Sequence, residues 1–393
     1  MQPVMIVIGT RPEGIKMMPV YFELKKAGIP VVLCSTDQHS FLLQEVFDLF
    51  SVTPDISLSL MKPDQDITYL TTAVLEAMKK VYQSIKPWLV LVQGDTTTVM
   101  AAALAAFYHN IPVGHVEAGL RTGDMRQPFP EEANRSIVGL IASYHFAPTT
   151  HAMGNLLGEG KKREFVFCTG NTVVDALRII QQMIENSHIP LRPEITAALQ
   201  EVKKNPHAQK ILVTAHRRES FPDGIKRIVH AIKEYASLHS DVFFFYPYHP
   251  NPVVMKVLRE LEIEKEKNIF LFSPLAYHEL AYILNFVDCV ATDSGGIQEE
   301  AVSLGRPVLV LREKTERMEG VWCGLATIVG TQEKAIIDAL QRSLNTSMEF
   351  KDGCQDVYGN GYAAQKIVNI IQTLQAEYSN EKSYQKKGVS AHL

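Results

Sequence analysis

VGHVEAGLRTGDMRQPFPEEANR, residues 113–135, is the stretch on which the fold turns. Val113–Val116 is a short apolar run of strand length, ending on Glu117, after which Gly119, Arg121 and Gly123 break the pattern. A turn flanked by Pro128 and Pro130 leads into Glu131 and Glu132, which open an apolar-periodic helix to about Ile141. One carboxylate therefore falls at a strand end and another at a helix start, with Arg121 and Arg135 nearby in sequence. Open α/β sheets bind ligands in loops at the carboxyl ends of their strands, and two acids there can divide the work of base and acid. The same residues have a structural reading. Glu131 and Glu132 suit the positive end of a helix, and a salt bridge would account for Glu117. The stretch alone does not separate the two readings; its surroundings must.

Upstream, the same unit recurs. Val4–Ile8 is an apolar run followed by Gly9-Thr10-Arg11-Pro12-Glu13-Gly14 and a helical pattern over residues 15–26. The glycine spacing is that of a P-loop, but Ile15 stands where the motif needs lysine, so the NTPase reading fails. What remains is a glycine-hinged turn at a helix N-terminus carrying Arg11 and Lys16, which suits phosphate; as solvated surface cations they would be ordinary. Further strands are predicted at 31–34, 88–92, 144–147 and 165–168, with helices between them. After the 88–92 strand, Gln93-Gly94-Asp95-Thr96-Thr97-Thr98 supplies a turn, a projecting acid and a threonine to cap the next helix. Asp95 in isolation reads equally well as a loop acid.

Downstream, a second alternating series begins at 211–214 and brings His216-Arg217-Arg218-Glu219 to a strand end. Tyr248-His249-Pro250 follows the strand at 242–246, and Asp293-Ser294-Gly295-Gly296 follows Cys289–Thr292. A third strand end carries Arg312-Glu313-Lys314-Thr315-Glu316-Arg317. Ser294-Gly295-Gly296 offers a hydroxyl and consecutive backbone N–H groups at a helix start, an anion site unless it is only a capped turn. Glu299 and Glu300, one turn further, suit ribose hydroxyls, and the 216–218 cluster adds cations for a diphosphate. A last helix is predicted at about 362–377, followed by a polar, mobile tail from Ser379. Gly359 and Gly361 precede it without a βαβ unit, so no dinucleotide site is expected there.

Composition narrows the class. The chain has 393 residues, 21% charged and 46% hydrophobic, which suits a soluble globular protein of two domains. A net charge of −4 gives no general attraction for nucleic acid or an anionic membrane, so an anionic ligand needs a local cationic cluster. No apolar run approaches the ~20 residues that span a bilayer, and the N-terminus lacks the basic n-region of a signal peptide. Cys34, Cys168, Cys289 and Cys354 read as free thiols of a reducing compartment, hence a cytoplasmic protein. Cys323, beside a glycine in a loop, is the one thiol with some claim on reactivity. No metal-ligand spacing appears, so neither metal nor cofactor is expected. A GxSxG elbow is also missing.

The alternation predicts an α/β protein of two Rossmann-like domains facing each other across a cleft. Residues 1–170 form the first, with the C-terminal helix (about 362–378) packing back on it, and 171–361 the second. Acids gather in the first and a nucleotide-diphosphate cradle in the second, a division that fits a nucleotide sugar.

Eight motifs then carry a family resemblance: GTRPE (9–13), QGDTTT (93–98), HVEAGLRT (115–122), PFPEEANR (128–135), TGNTVVDA (169–176), TAHRRES (214–220), DSGGIQEE (293–300) and REKTER (312–317). In this order, over nearly the whole chain, they resemble the non-hydrolysing UDP-N-acetylglucosamine 2-epimerases. The resemblance implies a GT-B-like fold, a cytoplasmic homodimer, and reversible inversion at C2 between UDP-GlcNAc and UDP-ManNAc for surface polysaccharide synthesis. In that family UDP is eliminated to leave a 2-acetamidoglucal and is re-added after reprotonation on the other face. By resemblance Asp95, Glu117 and Glu131 are the proton-transfer carboxylates, with His216 near the diphosphate and sugar. Arg11, Lys16, Arg217, Ser294, Gly295, Gly296 and Arg317 would hold UDP, Glu300 the ribose, and Arg135 and His249 further parts of the substrate. The acid that removes the proton stays open between Asp95 and Glu131, with Glu117 as partner. The pattern departs at a second pocket where some bacterial members bind activating substrate. Gln38, His39, Glu219 and His249 are present, but Phe41 and Asp64 stand where glutamine and arginine are expected, which argues against such activation. The rival readings are a 2-epimerase of a diacetamido-uronic UDP-sugar and a GT-B glycosyltransferase, which would not need three acids around C2.

Overall fold

Runs of aliphatic residues buried on both faces set the strands, and strands of that kind need helices above and below them, as in a parallel sheet. The computed structural model describes residues 2–38, 40–61, 66–187, 189–215, 223–345 and 353–389, the side chains of 40, 41, 187, 345 and 379–389 excepted. The chain divides into two compact units, Met1–Ala176 with Gly361–Leu393, and Leu177–Asn360.

In the first unit, β1 (Val4–Ile8), β2 (Val31–Ser35), β3 (Ile56–Ser57), β4 (Leu89–Gln93), β5 (Val113–Val116), β6 (Tyr144–Ala147) and β7 (Val166–Cys168) form one all-parallel sheet. Its order is β3-β2-β1-β4-β5-β6-β7, so the direction of winding reverses between β1 and β4. Loops leaving such neighbours part to opposite sides and open a crevice for ligand; here they are the turns at Gly9 and Gly94. The helix Thr97–Tyr108 reaches the sheet closely because Ala101, Ala102, Ala103, Ala105 and Ala106 are all buried. Gly9 has no room for a side chain, since a Cβ would lie 2.5 Å from the Thr36 hydroxyl and 2.8 Å from that of Thr98.

The C-terminal helix Ala363–Val389 belongs to this unit. Asp175 accepts the backbone N–H groups of Ala363 (3.1 Å) and Ala364 (2.8 Å), and Tyr378 stacks on Trp88 with 5.5 Å between ring centres. The helix runs past the end expected near residue 377, through the segment read from sequence as a polar tail.

In the second unit, β8 (Gln209–Thr214), β9 (Val242–Pro247), β10 (Ile269–Phe272), β11 (Cys289–Thr292), β12 (Val308–Val310) and β13 (Ala326–Ile328) are again all parallel. The order β10-β9-β8-β11-β12-β13 repeats the reversal, now between β8 and β11. Ile211, Val213, Phe244 and Tyr246 of the sheet pack with Ile225, Ile228 and Ile232 from the helix Asp223–Leu238. The helix Pro193–Lys203 buries Ile195, Ala198, Leu199 and Val202, a helical spacing present in the sequence.

One expectation is overturned here. Cys323 and Cys354 form a disulfide across 31 residues, so Cys354 is not a free thiol and Cys323 is not a reactive one. The bridge joins the end of the helix Met318–Cys323 to the Cys354–Asp356 turn, a tertiary pairing to which sequence spacing is blind. Cys34, Cys168 and Cys289 are free. Among the described residues no helix is long and apolar enough to cross a membrane.

Candidate active site

At the end of β5 the backbone of Glu117 turns left-handed, with φ +64°. A side chain there costs about 1–2 kcal/mol, so tertiary contacts must hold it. Its Oε2 accepts from three donors: the Lys16 ammonium, Gln93 Nε2 (3.1 Å) and Asn171 Nδ2 (3.2 Å). Lys16 follows β1, Gln93 ends β4 and Asn171 follows β7, so the carboxylate gathers three separate strand ends of one sheet. Both ion-pair partners are buried, and the two amides supply the extra hydrogen bonds that a desolvated pair needs.

Asp95 follows Gly94, whose φ of +82° makes the turn. Its carboxylate pairs with the Arg135 guanidinium, and its carbonyl accepts from Asn134 Nδ2 at 2.9 Å. Arg135 in turn lies 3.2 Å from Glu132, whose Oε1 accepts the N–H groups of Thr122 and Gly123, both at 3.0 Å. Arg135 is 3% exposed, which makes it a partner of these acids first. His115 Nε2 donates to the Gly94 carbonyl at 2.8 Å, fixing the turn from the neighbouring strand. Burial pushes the His115 imidazole down to about 4. Glu131 begins the helix Glu131–Ile141 and is partly exposed, as is Arg11 at the start of the helix Arg11–Lys26. Arg121, next to the acids in sequence, instead pairs with Glu159 at 2.6 and 3.0 Å.

The second unit has its own cluster. Ser294 is the N-cap residue of the helix Gly295–Ser303, and its side chain makes no capping bond. Gly295 is glycine for a steric reason: a Cβ would come 2.8 Å from Cζ of Arg317. Arg317 thus lies over the helix start, buried, with Nε donating to Glu299 at 3.1 Å and Nη1 paired with Glu316. A guanidinium beside the exposed N–H groups of a helix start can hold a diphosphate. Glu300 accepts the Tyr277 hydroxyl at 2.8 Å. The His249 ring accepts the Asn251 N–H at 3.2 Å in the turn after β9. His216, Arg217 and Glu219 lie outside the described residues, as do His39, Asp64 and the side chain of Phe41. Among the described residues, His230, Glu234 and Glu333 bring ligand atoms within 4.8 Å of one another, on a largely exposed surface.

The model of the family described as UDP-N-acetylglucosamine 2-epimerase matches residues 23–372. The UDP-N-acetylglucosamine 2-epimerase of Escherichia coli K12 is 43% identical over 371 residues, covering 94% of this chain and 98% of the relative. The chain belongs to the UDP-N-acetylglucosamine 2-epimerase family. A crystal structure of the Neisseria meningitidis UDP-GlcNAc 2-epimerase bound to UDP-GlcNAc superimposes with TM-score 0.87 at 40% identity, covering 94% of this chain and all of that one. The Methanocaldococcus jannaschii UDP-GlcNAc 2-epimerase, in complex with UDP-GlcNAc and UDP, gives TM-score 0.81 at 33% identity and covers 94% of this chain and 99% of that one. This epimerase is thus an isomerase of the two-domain, GT-B-like α/β architecture.

Sequence reasoning gave no site role to several residues of the first cluster. Glu132, Gln93, Asn171 and His115 all sit inside the quoted motifs, yet nothing local tells that their side chains converge on Glu117, Arg135 or Gly94. Glu13 was passed over in the same way. It is 1% exposed, with burial pushing its carboxyl up to about 7.

Proposed function

We propose that the protein interconverts UDP-N-acetylglucosamine and UDP-N-acetylmannosamine for surface polysaccharide synthesis, by eliminating UDP and adding it back. The observation that carries the reading is the family match, 43% identity over 94% of the chain. The C2–H bond breaks and its electron pair forms the C1=C2 bond of a 2-acetamidoglucal. The C1–O bond breaks with it, and that pair leaves on the β-phosphate of UDP. Reprotonation of C2 from the other face and return of UDP to C1 complete the inversion, with no net redox change and no call for a cofactor.

Each step has residues suited to it. Oε2 of Glu117 already accepts three donors, so we give Glu117 the task of orienting Lys16. Asp95, which Arg135 orients, and Glu131 then exchange the proton on the two faces of C2. Arg317 and the N–H groups of Gly295 and Gly296 stabilise charge developing on the diphosphate. Arg11 and Ser294 add donors to UDP, and Glu300 takes the ribose. His216, Arg217 and His249 keep the roles that the resemblance implies. The test is proton NMR of UDP-N-acetylglucosamine with the protein in D₂O. UDP-N-acetylmannosamine deuterated at C2 is the expected product; free N-acetylmannosamine with UDP would mean hydrolysis instead.

Two further parts of the reading are proposals. The protein is a homodimer, supported by Phe107, Tyr108, Ile137 and Leu140, exposed on the adjacent helices Thr97–Tyr108 and Glu131–Ile141; light scattering that returns a monomer mass removes it. The protein works in the cytoplasm, supported by its three free thiols, whereas the disulfide weighs the other way. Thiol trapping in intact cells decides: Cys323 and Cys354 should be found reduced.

A further inference from the structure

Glu13 sits in the first turn of the helix Arg11–Lys26, which follows β1. Its Oε2 accepts the Gly9 N–H at 2.6 Å, and its Oε1 accepts the Thr10 hydroxyl at 2.9 Å. Those two bonds are local and could belong to any acid that reaches back to satisfy a helix start. The third bond is not local: Thr96, 83 residues away, donates its hydroxyl to the same Oε1 at 2.7 Å. Thr96 adjoins Asp95 and caps the helix Thr97–Tyr108 by accepting the Val99 N–H at 3.2 Å. One buried carboxylate thereby ties the turn bearing Arg11 and Lys16 to the turn bearing Asp95. The packing beside it is tight: the Thr36 and Thr98 hydroxyls crowd Gly9, and Thr98 donates to Gln38 at 2.7 Å.

We propose that Glu13 is a positioning residue for epimerisation, setting the Asp95 turn against the turn of Arg11 and Lys16. The proposal rests on the epimerase reading. Its physical content is that three donors from two strand ends meet on one side chain that is almost wholly buried. Aspartate is too short to reach both turns. Glutamine fills the space but turns one acceptor into a donor, which must face either the Gly9 N–H or the two hydroxyls.

The ionisation of Glu13 follows from the same contacts. Burial raises its pKa, and the bonds from Thr96, Gly9 and Thr10 oppose the rise. Besides Arg11, two residues before it on the same helix, the charged groups of the flanking segments include Lys16, engaged with Glu117, Asp95, engaged with Arg135, and Asp37, which accepts the Ser35 and Ser57 hydroxyls. Protonation makes one oxygen a donor and reverses one hydroxyl bond, so the two turns are held differently on either side of about pH 7.

The experiment compares wild type, Glu13→Gln, Thr10→Val and Thr10→Ser. It measures kcat and KM for UDP-N-acetylglucosamine from pH 5.5 to 9, UDP affinity by calorimetry, and C2 proton exchange in D₂O. Glu13→Gln should lower kcat roughly 10- to 100-fold through misplacement of the reacting groups, weaken UDP affinity by far less, and displace the acid limb of the pH profile. Thr10→Val removes a single donor and should act in the same direction with a smaller effect, and Thr10→Ser should restore the wild-type rate. Wild-type kcat with an unaltered profile in Glu13→Gln would overturn the proposal. So would a loss of kcat matched by an equal loss of UDP affinity, since that is general damage. Wild-type protein that exchanges no C2 proton would sink the epimerase reading itself, and the proposal with it.

Discussion

Lys16 and Glu117, 101 residues apart, form a buried ion pair at the carboxyl ends of β1 and β5. Removing one member strands the other charge, at a cost of about 3–5 kcal/mol, whereas removing both can be nearly neutral. Lys16→Met and Glu117→Gln should each lower stability by that order, and the double variant should regain most of it. Chemical denaturation of the four proteins checks this; additive losses would mean that the pair is not coupled.

Asp95 is held by Arg135, and on the proposed reading it exchanges the C2 proton. Asp95→Asn keeps its shape and removes its basicity, so turnover should fall by roughly 10²-fold or more while UDP still binds. Near-normal turnover would take Asp95 out of the chemistry and leave the exchange to Glu131.

Arg317 lies over Gly295 at the helix start. On the proposed reading, Arg317→Ala deletes a charged donor to the diphosphate, a loss of about 1.5–3 kcal/mol. Calorimetric UDP affinity should therefore weaken by roughly 10- to 100-fold. Unchanged affinity would show that the REKTER segment does not meet the nucleotide.

His115 and His145 are neighbours across β5 and β6, and burial pushes them down to about 4 and about 3. Folded, they bind fewer protons than the unfolded chain, whose histidines titrate near 6.5. Their contribution to stability is thus complete above about pH 6.5 and drains as pH falls toward 4. Glu13, raised to about 7, runs the opposite way: its contribution is complete below about 4.5 and is lost as pH rises through 7. The informative quantity is therefore a difference between proteins. The Tm of wild type minus that of His145→Gln should fall as pH drops from 6.5 to 4. A constant difference would show that His145 titrates normally in the fold.

Much of this protein was legible before any coordinates. Gly9 and Gly295 follow strands where a Cβ would crowd its neighbours, Gly94 follows one where the turn needs φ +82°, and apolar runs of strand length alternate with helical periods throughout. Those signals are local, so they survive in a linear reading, and together with the ordered motifs they determine the α/β class and the family. Glu132 shows where such reading stops. It looks like a second acid at a helix start, and only the fold reveals that it holds Arg135 and two loop N–H groups.

Partnership was decided by tertiary structure. The strand order β2-β1-β4-β5 places residues from distant crossovers at one edge, so Lys16 meets Glu117, Glu13 meets Thr96 and Asp95 meets Arg135. The same holds for the Cys323–Cys354 bridge and for the last helix docking on Asp175 and Trp88. The sequence by itself determined which segments become strands, turns and helices, because hydrophobic period and backbone sterics act over a few residues. Which side chains meet depended on the order of parallel strands, because burial rewards the whole sheet and leaves no local trace of any single pair.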